Sequence, residues 1–87
     1  MRIEEFKWSY AVREKVEGRH GLASAEVESA MFDRRERVKK AGRDRYILLG
    51  RSAVGTYMTI VFAYRRRVAR IITARRMDQK ERRIYRR

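Results

Sequence analysis

Arginine is the residue type that dominates the chemistry available to this chain. The 87 residues include 24 Lys and Arg against 11 Asp and Glu, so the formal net charge is +13. Guanidinium groups can hold phosphate oxygens in pairs of hydrogen bonds and stabilise charge that develops on them, but their high pKa makes them poor bases. A base would have to come from the single histidine, His20, from Glu81, or from a Tyr or Lys whose pKa neighbouring cations lower.

The counts of ligand-forming residues exclude several kinds of site. With no cysteine and one histidine, the chain has no disulfide, thiolate nucleophile, two-histidine metal site or two-histidine acid–base pair. Asp33, Asp44 and Asp78 are far apart in sequence, so we predict no metal and no other cofactor. The longest uncharged run, residues 52–64, is shorter than the ~18 apolar residues of a membrane helix. Residues 1–8 carry acids where a signal peptide is apolar, so we expect a cytoplasmic protein with no membrane partner.

The positive charge is concentrated in the second part of the chain. Residues 1–33 hold five basic and seven acidic residues, a net charge of −2, whereas residues 34–64 hold eight and two, and residues 65–87 hold eleven and two. The basic residues interrupt apolar stretches rather than forming a separate tail. Such polarity is typical of a surface that binds phosphates, and it predicts nucleic acid as a partner.

One strand and two helices are predicted before the basic part begins. Residues 2–8 alternate weakly and indicate a first strand or extended arm. Ser9 is suited to cap a helix over residues 10–20, where two valines and the histidine recur at four-residue spacing. Gly21 is a helix stop, and Ser24 can cap a second short helix.

Three strands joined by short turns are predicted in the middle of the chain. Residues 33–40 are charged and indicate a loop or a weak edge strand. Gly55 marks a turn, and the three arginines Arg65–Arg67 mark another. The strands, which are apolar and rich in β-branched and aromatic residues, cover residues 45–50, 56–64 and 68–74.

A short C-terminal helix completes the predicted fold. Asp78 and Glu81 have the spacing of a capping box, which starts a helix over residues 79–86. No linker, repeat or low-complexity tract divides the chain, so we predict a single domain over residues 1–87. The fold class is α+β, with a small antiparallel sheet of about four strands, two N-terminal helices and the short C-terminal helix.

Several short sequence segments, in this order of elements, resemble the BrnT toxins of the RelE/ParE-like toxin superfamily. The carrying residues are Phe6, Trp8, His20–Gly21, Met31–Asp33, Arg45–Ile47, Gly50–Ser52, Arg70–Met77, Glu81–Arg82 and Tyr85. The resemblance implies a RelE-like fold and a toxin of a bacterial type II toxin–antitoxin module. It also implies cleavage of RNA or inhibition of translation, possible action on the ribosome, and neutralisation by a cognate antitoxin with a ribbon-helix-helix part. Operator DNA would be contacted only through that antitoxin.

The resemblance and the charge together select the candidate site residues. As catalytic groups we predict Arg75, Arg70, Arg51, His20 and Glu81. As RNA-binding groups we predict Arg65, Arg66, Arg67, Arg76 and Tyr85. On an ideal strand Arg70 and Arg75 lie on opposite faces, so they line one cleft only if a bulge or a strand end intervenes.

Structural roles for the same side chains remain open. Arg75 could be an ion-pair partner of Glu81, and Glu81 could serve only the capping box. His20 in the last turn of a helix could simply favour the helix dipole. Tyr85 could pack against the sheet. The strand aromatics could either stack on bases or be divided between core and surface.

Two other functions remain open as well. Where the BrnT family commonly has a lysine in the first helix this chain has Val12, which suggests a catalytically degenerate module that binds nucleic acid or antitoxin and acts as a co-repressor. A third hypothesis is a domain that binds only protein, with its cationic face against an acidic antitoxin segment. The residues present point to metal-independent cleavage if RNA is cut, because no acids cluster in the sequence.

Overall fold

A five-stranded mixed sheet forms the frame of the protein in the computed structural model, which describes all of residues 1–87. The strands are β1 (Glu5–Lys7), β2 (Arg37–Lys40), β3 (Arg45–Arg51), β4 (Tyr57–Arg65) and β5 (Val68–Arg76). They lie in the order β1-β5-β4-β3-β2, and every pair is antiparallel except β1 with β5. The α+β class is confirmed, but the sheet has five strands rather than about four, and it is mixed because β1 adds to the far edge in parallel.

Three helical segments accompany the sheet. They are α1 (Tyr10–Glu14), which continues as a π-helical segment (Lys15–Arg19), α2 (Ser24–Ala30) and α3 (Gln79–Tyr85). The Ser9 hydroxyl accepts the Val12 N–H at 3.1 Å, which confirms the predicted cap. Gly21 ends the segment with a φ of 63°, a left-handed conformation that glycine adopts at little cost.

The start of α2 differs from the prediction by one residue. Ala23 has the extended N-cap conformation and Ser24 is already helical, so the expected serine cap is wrong. The Ser24 hydroxyl instead accepts a hydrogen bond from the Arg13 guanidinium at 2.7 Å. A side-chain bond across the helix pair therefore replaces a bond to the backbone.

The two faces of the sheet are covered unequally. Helices α1 and α2 cover one face, where the fully buried side chains of Met58, Ile60 and Phe62 pack with residues of both helices. Helix α3 covers only one end of the other face, where Tyr85 packs on Leu49 and Met77. The remainder of this second face, which we call the open face, carries no helix.

A bulge in β5 decides which side chains reach the open face. Val61 pairs with Thr73 but Phe62 pairs with Ile71, so one residue of β5, Ile72, has no partner. Directly opposed residues of neighbouring strands share a face. Because Arg75 opposes Thr59 and Arg70 opposes Ala63 on the same face of β4, the extra residue places both arginines on the open face.

Candidate functional site

A groove of about 1000 Å³ lies where the C-terminal end of α3 meets the β3–β4 end of the sheet and the segment after α2. We call it the arginine groove. Its lining comprises six arginines, two tyrosines and two acids: Asp33, Arg34, Arg35, Glu36, Arg37, Arg51, Tyr57, Tyr85, Arg86 and Arg87. The chain thus brings cations from three separate segments to one concave surface, which suits an anionic ligand.

Asp33 organises the wall of this groove. Its carboxylate accepts hydrogen bonds from the Tyr85 hydroxyl at 2.5 Å, the Arg51 backbone N–H at 2.9 Å and the Arg35 backbone N–H at 3.2 Å. Burial alone would raise the pKa of Asp33, but these hydrogen bonds together hold it below its usual value. Burial and the bond to Asp33 raise the pKa of Tyr85 to about 12, so the hydroxyl stays protonated and donates to the carboxylate.

Aromatic and cationic side chains stack behind the groove. The Tyr57 ring lies 4.5 Å from the Arg82 guanidinium carbon and 5.6 Å from that of Arg51, and it meets the Tyr85 ring edge-on at 5.7 Å. Such cation–π contacts limit the freedom of a long side chain. Arg51 is therefore held at the groove by Tyr57 through its side chain and by Asp33 through its backbone.

Glu36 is the carboxylate of the groove whose side chain accepts no hydrogen bond, in contrast to that of Asp33. It is half-buried, yet it takes part in none of the four ion pairs of the chain. Burial raises its pKa, the nearby charge of Asp33 adds to the rise, and the N-terminal ammonium opposes it. An unpaired carboxylate with a raised pKa in a cleft is a candidate general base.

A second basic cleft lies at the opposite end of the open face. We call it the hairpin cleft, and it is lined by Lys7, Asp44, Ala63, Arg65, Arg66, Val68 and Arg70, with a volume of about 460 Å³. Arg66 and Arg67 form the tip of the β4–β5 hairpin with φ angles of 53° and 66°. The hairpin cleft contains four cations, and Asp44 is its only acid.

Arg75 and Glu81 bind each other. The guanidinium donates to both carboxylate oxygens at 2.8 and 2.7 Å, and Glu81 also accepts the Asp78 N–H at 2.9 Å, which completes the predicted capping box. The hydrogen bonds from Arg75 lower the pKa of Glu81, and those to Glu81 raise the pKa of Arg75. Both side chains are thereby engaged at the start of α3, as the structural alternative had it.

Arg76, His20 and Arg67 lie elsewhere. The Arg76 guanidinium donates to the His20 carbonyl at 3.0 Å, on the helix-covered side of the sheet. Arg67 forms an ion pair with Glu4 at 3.4 Å, and its carbonyl accepts the Glu4 N–H at 2.8 Å, so it fastens β1 to the hairpin. These three residues do not line the arginine groove.

The ten predicted site residues are thus distributed over separate places rather than one site. Arg51 and Tyr85 line the arginine groove, and Arg65, Arg66 and Arg70 line the hairpin cleft. Sequence reasoning missed the contribution of Asp33, Glu36, Arg35, Arg37 and Tyr57. The sequence contains a signal for four of them. Residues 33–37 form a run of charges that begins directly after a helix end, and connecting segments of this kind often carry functional residues.

The structure brings no three His, Asp or Glu side chains together in a way that could hold a metal ion. It also contains no helix that is both long and apolar enough to cross a membrane.

A small α+β fold with two basic clefts is typical of a protein that binds polyanions. Comparison with known families makes the class specific. Residues 8–81 match the family model of the ribonuclease toxin BrnT of type II toxin–antitoxin systems, and the chain belongs to that family. It is a ribonuclease toxin whose module supplies an antitoxin as partner, and the resemblance deduced from the sequence is confirmed.

Structural comparison agrees on the fold. The crystal structure of the Brucella abortus ribonuclease toxin BrnT superposes with a TM-score of 0.68 at 19% sequence identity, over 86% of this chain and 97% of that one. No curated protein matches the chain significantly in sequence. At this identity the structural likeness establishes the architecture alone.

Proposed function

We propose that this toxin cleaves RNA in the arginine groove without a metal ion, and that loss of RNA arrests translation. The observation that supports this most is the convergence of six arginines on one groove that also contains Glu36, a carboxylate without an ion pair. Metal independence is supported by the donor set, because Asp33 is occupied by three hydrogen bonds and no cluster of ligands exists.

The arginines would bind the scissile phosphate and its neighbours. Arg51 is the best placed, because Tyr57 and Asp33 fix it before RNA arrives, so it loses little freedom on binding. A guanidinium can bind two phosphate oxygens at once and stabilise the extra charge of the phosphorane that forms between substrate and product. Arg51 is therefore proposed as the group that stabilises the transition state.

Glu36 would act as the general base. Its carboxylate takes the proton of the 2′-hydroxyl, the 2′-oxygen bonds to phosphorus, and the bond from phosphorus to the 5′-oxygen breaks. The leaving 5′-oxygen takes a proton from water, and the products are a 2′,3′-cyclic phosphate and a 5′-hydroxyl end. Because burial raises the pKa of Glu36, the rate rises with pH as this carboxyl loses its proton.

The partners follow from the same surface and from the family. We propose that the antitoxin is of the ribbon-helix-helix type, that it covers the arginine groove, and that operator DNA is contacted only through it. RNA, free or on the ribosome, is the proposed substrate, and the cytoplasm is the proposed place of action. The cationic surface offers an antitoxin segment of opposite charge the same arginines that RNA would use.

The test is RNA cleavage by the purified toxin and by three variants. Arg51→Gln is expected to lower kcat by about 10²–10³, the usual loss of one transition-state donor, and Glu36→Gln by about 10²–10⁴. Glu36→Gln should also abolish the rise of the cleavage rate with pH on the acidic side of the pH–rate profile. Lys15→Gln, an exposed cation of the π-helical segment, is the matched control and should cut RNA as the wild type does.

Two results would contradict the proposed site and its metal independence. Full activity of both groove variants would move the chemistry to another site, of which Arg75 with Glu81 and the hairpin cleft are the predicted candidates. Loss of cleavage in excess EDTA, restored by a divalent cation, would refute metal independence. In addition, identification of a 3′-phosphate without any cyclic intermediate would exclude attack by the 2′-hydroxyl.

Binding without cleavage, as co-repressor with the antitoxin, is the second candidate. The mutual engagement of Arg75 and Glu81 favours it, because neither side chain is free to act on a substrate. It predicts RNA or DNA complexes that weaken steeply with salt, no strand scission, and no effect of expression on growth. Cleavage by wild-type protein would exclude it.

A further inference from the structure

Three cations stand in one row across four strands of the open face. Lys7 of β1 opposes Arg70 of β5, Arg70 opposes Ala63 of β4, and Ala63 opposes Arg45 of β3. All three basic side chains are exposed. Neighbouring strands are about 5 Å apart, so Lys7 and Arg70 emerge side by side with only the small Ala63 separating them from Arg45.

This row is unfavourable for the protein alone. Like charges directly opposite each other on neighbouring strands destabilise a sheet. No member of the row takes part in any of the four ion pairs of the chain. The hairpin cleft beside it adds Arg65 and Arg66 and only one acid. An anion in the cleft would relieve the repulsion, whereas the fold supplies only Asp44 against the four cations of the cleft.

We propose that the hairpin cleft is a second phosphate site, which holds the same RNA strand that is cut in the arginine groove. The proposal rests on the function proposed above. Strand β4 connects the two sites, since its first residue, Tyr57, lines the arginine groove and its last, Arg65, lines the hairpin cleft. Eight residue steps of a strand span about 26 Å.

The surface between the two sites suits a single strand with its bases toward the sheet. Ile47, Val61 and Thr73 lie half-buried on the open face there, and Ile47 also borders a groove beside helix α3. Cations border this apolar strip at the hairpin end and at the groove end. A backbone track with apolar contacts for bases is the usual design of sites that bind single strands with little sequence preference.

RNA length is the variable that tests the proposal. At about 3.4 Å per nucleotide of one strand, the ~26 Å between the sites corresponds to about 8 nucleotides, so an RNA of about 4 nucleotides occupies one site and one of about 16 can occupy both. The wild type should therefore cut the longer RNA with a KM at least tenfold lower. The double variant Lys7→Gln/Arg45→Gln, which removes the two outer cations of the row, should lose this advantage while kcat and cleavage of the short RNA stay unchanged, and Lys15→Gln should keep it.

Salt dependence and thermal stability give independent readouts. Removal of two phosphate contacts should reduce the slope of log K against log salt for the longer RNA by about 1.4. The variant should melt at the same or a higher temperature, because a repulsive pair is gone. Should the double variant fail to fold, the single substitution Lys7→Gln at the exposed edge strand replaces it and should raise KM for the longer RNA only.

The outcomes separate this proposal from the one it rests on. Cleavage with no dependence on length, or an unchanged salt slope in the variant, overturns the second site and leaves the first. Tighter binding of the longer RNA without any cleavage overturns the proposed catalysis but supports the cleft. A variant that binds RNA normally but loses affinity for the antitoxin assigns the cleft to a protein partner and overturns the proposal.

Discussion

Replacement of Tyr85 by phenylalanine isolates one hydrogen bond at the wall of the arginine groove. The ring keeps its packing against Leu49, Met77 and Tyr57, and only the hydroxyl that donates to Asp33 is lost. A hydrogen bond to a charged group contributes about 1.5–3 kcal/mol. Burial is the largest cause of the rise of the Tyr85 pKa from 10.0 to about 12 and the bond to Asp33 the second, so the corresponding ~2.7 kcal/mol is an upper bound for this bond, and we expect a loss of about 2 kcal/mol.

The pH dependence provides a sharper test than the loss itself. Because the pKa of Tyr85 is higher in the folded than in the unfolded protein, its contribution is complete below pH 10 and disappears as pH rises through about 12. The variant Tyr85→Phe should therefore be less stable than the wild type at pH 7, and the difference should vanish near pH 12.

Urea unfolding at pH 7 and at steps from pH 9 to about 12 measures this difference. Tyr10→Phe, whose ring is 80% exposed, is the control and should change the free energy of unfolding by less than about 0.5 kcal/mol. A difference below about 0.5 kcal/mol for Tyr85→Phe, or one that persists at high pH, would refute the role of the bond. RNA cleavage should be retained within a few-fold, and its loss at unchanged stability would instead place the hydroxyl on the substrate.

Three substitutions test the backbone. Gly50→Ala should destabilise by about 1–3 kcal/mol in urea unfolding, because its Cβ would lie 2.5 Å from the Ala30 carbonyl oxygen; an unchanged midpoint would show that α2 can move away. Gly18→Ala, with open space around the site, should stabilise by about 0.5–1 kcal/mol, and any loss would mean that the π-helical segment requires glycine. Arg67→Gly should raise the free energy of unfolding by about 1 kcal/mol, because glycine adopts the positive φ of 66° without strain. A lower melting temperature would show that the exposed ion pair to Glu4, which is lost, contributes more than such pairs usually do.

Local signals predict most of the fold because each rests on physics that acts over a few residues. The capping box of Asp78 and Glu81, the Ser9 cap and the turn at Gly55, where φ is 97°, all involve neighbours in sequence. The charged edge strand β2 is also predictable, since an exposed edge rich in cations resists pairing with other chains. The partner of a three-residue strand such as β1 is decided by tertiary contacts, and no periodicity encodes it.

The site is harder to predict because it is assembled from segments distant in sequence. Composition points to a polyanion, and the resemblance places Arg51 and Tyr85 among the candidates, but the bond between Tyr85 and Asp33 joins residues 52 positions apart. In the sequence Asp33 is one of three widely separated aspartates, and only the resemblance draws notice to it. Its importance arises where the end of α2 meets the end of α3, and this meeting depends on how each helix packs on its own face of the sheet.

A single unpaired residue shows how far function can depend on such non-local detail. Strict alternation along β5 would direct Arg70 and Arg75 to opposite faces, and one of them would then be buried under α1 and α2 or would disrupt that core. The bulge at Ile72 restores both arginines to the open face while Ile71 and Ala74 remain fully packed in the core. Strict two-residue alternation along β5 therefore cannot place all core residues on one face and both arginines on the other, and the bulge makes this arrangement possible. Removal of the extra residue should therefore move either the arginines or the core out of place, because this one insertion is what lets Arg70 and Arg75 share the open face.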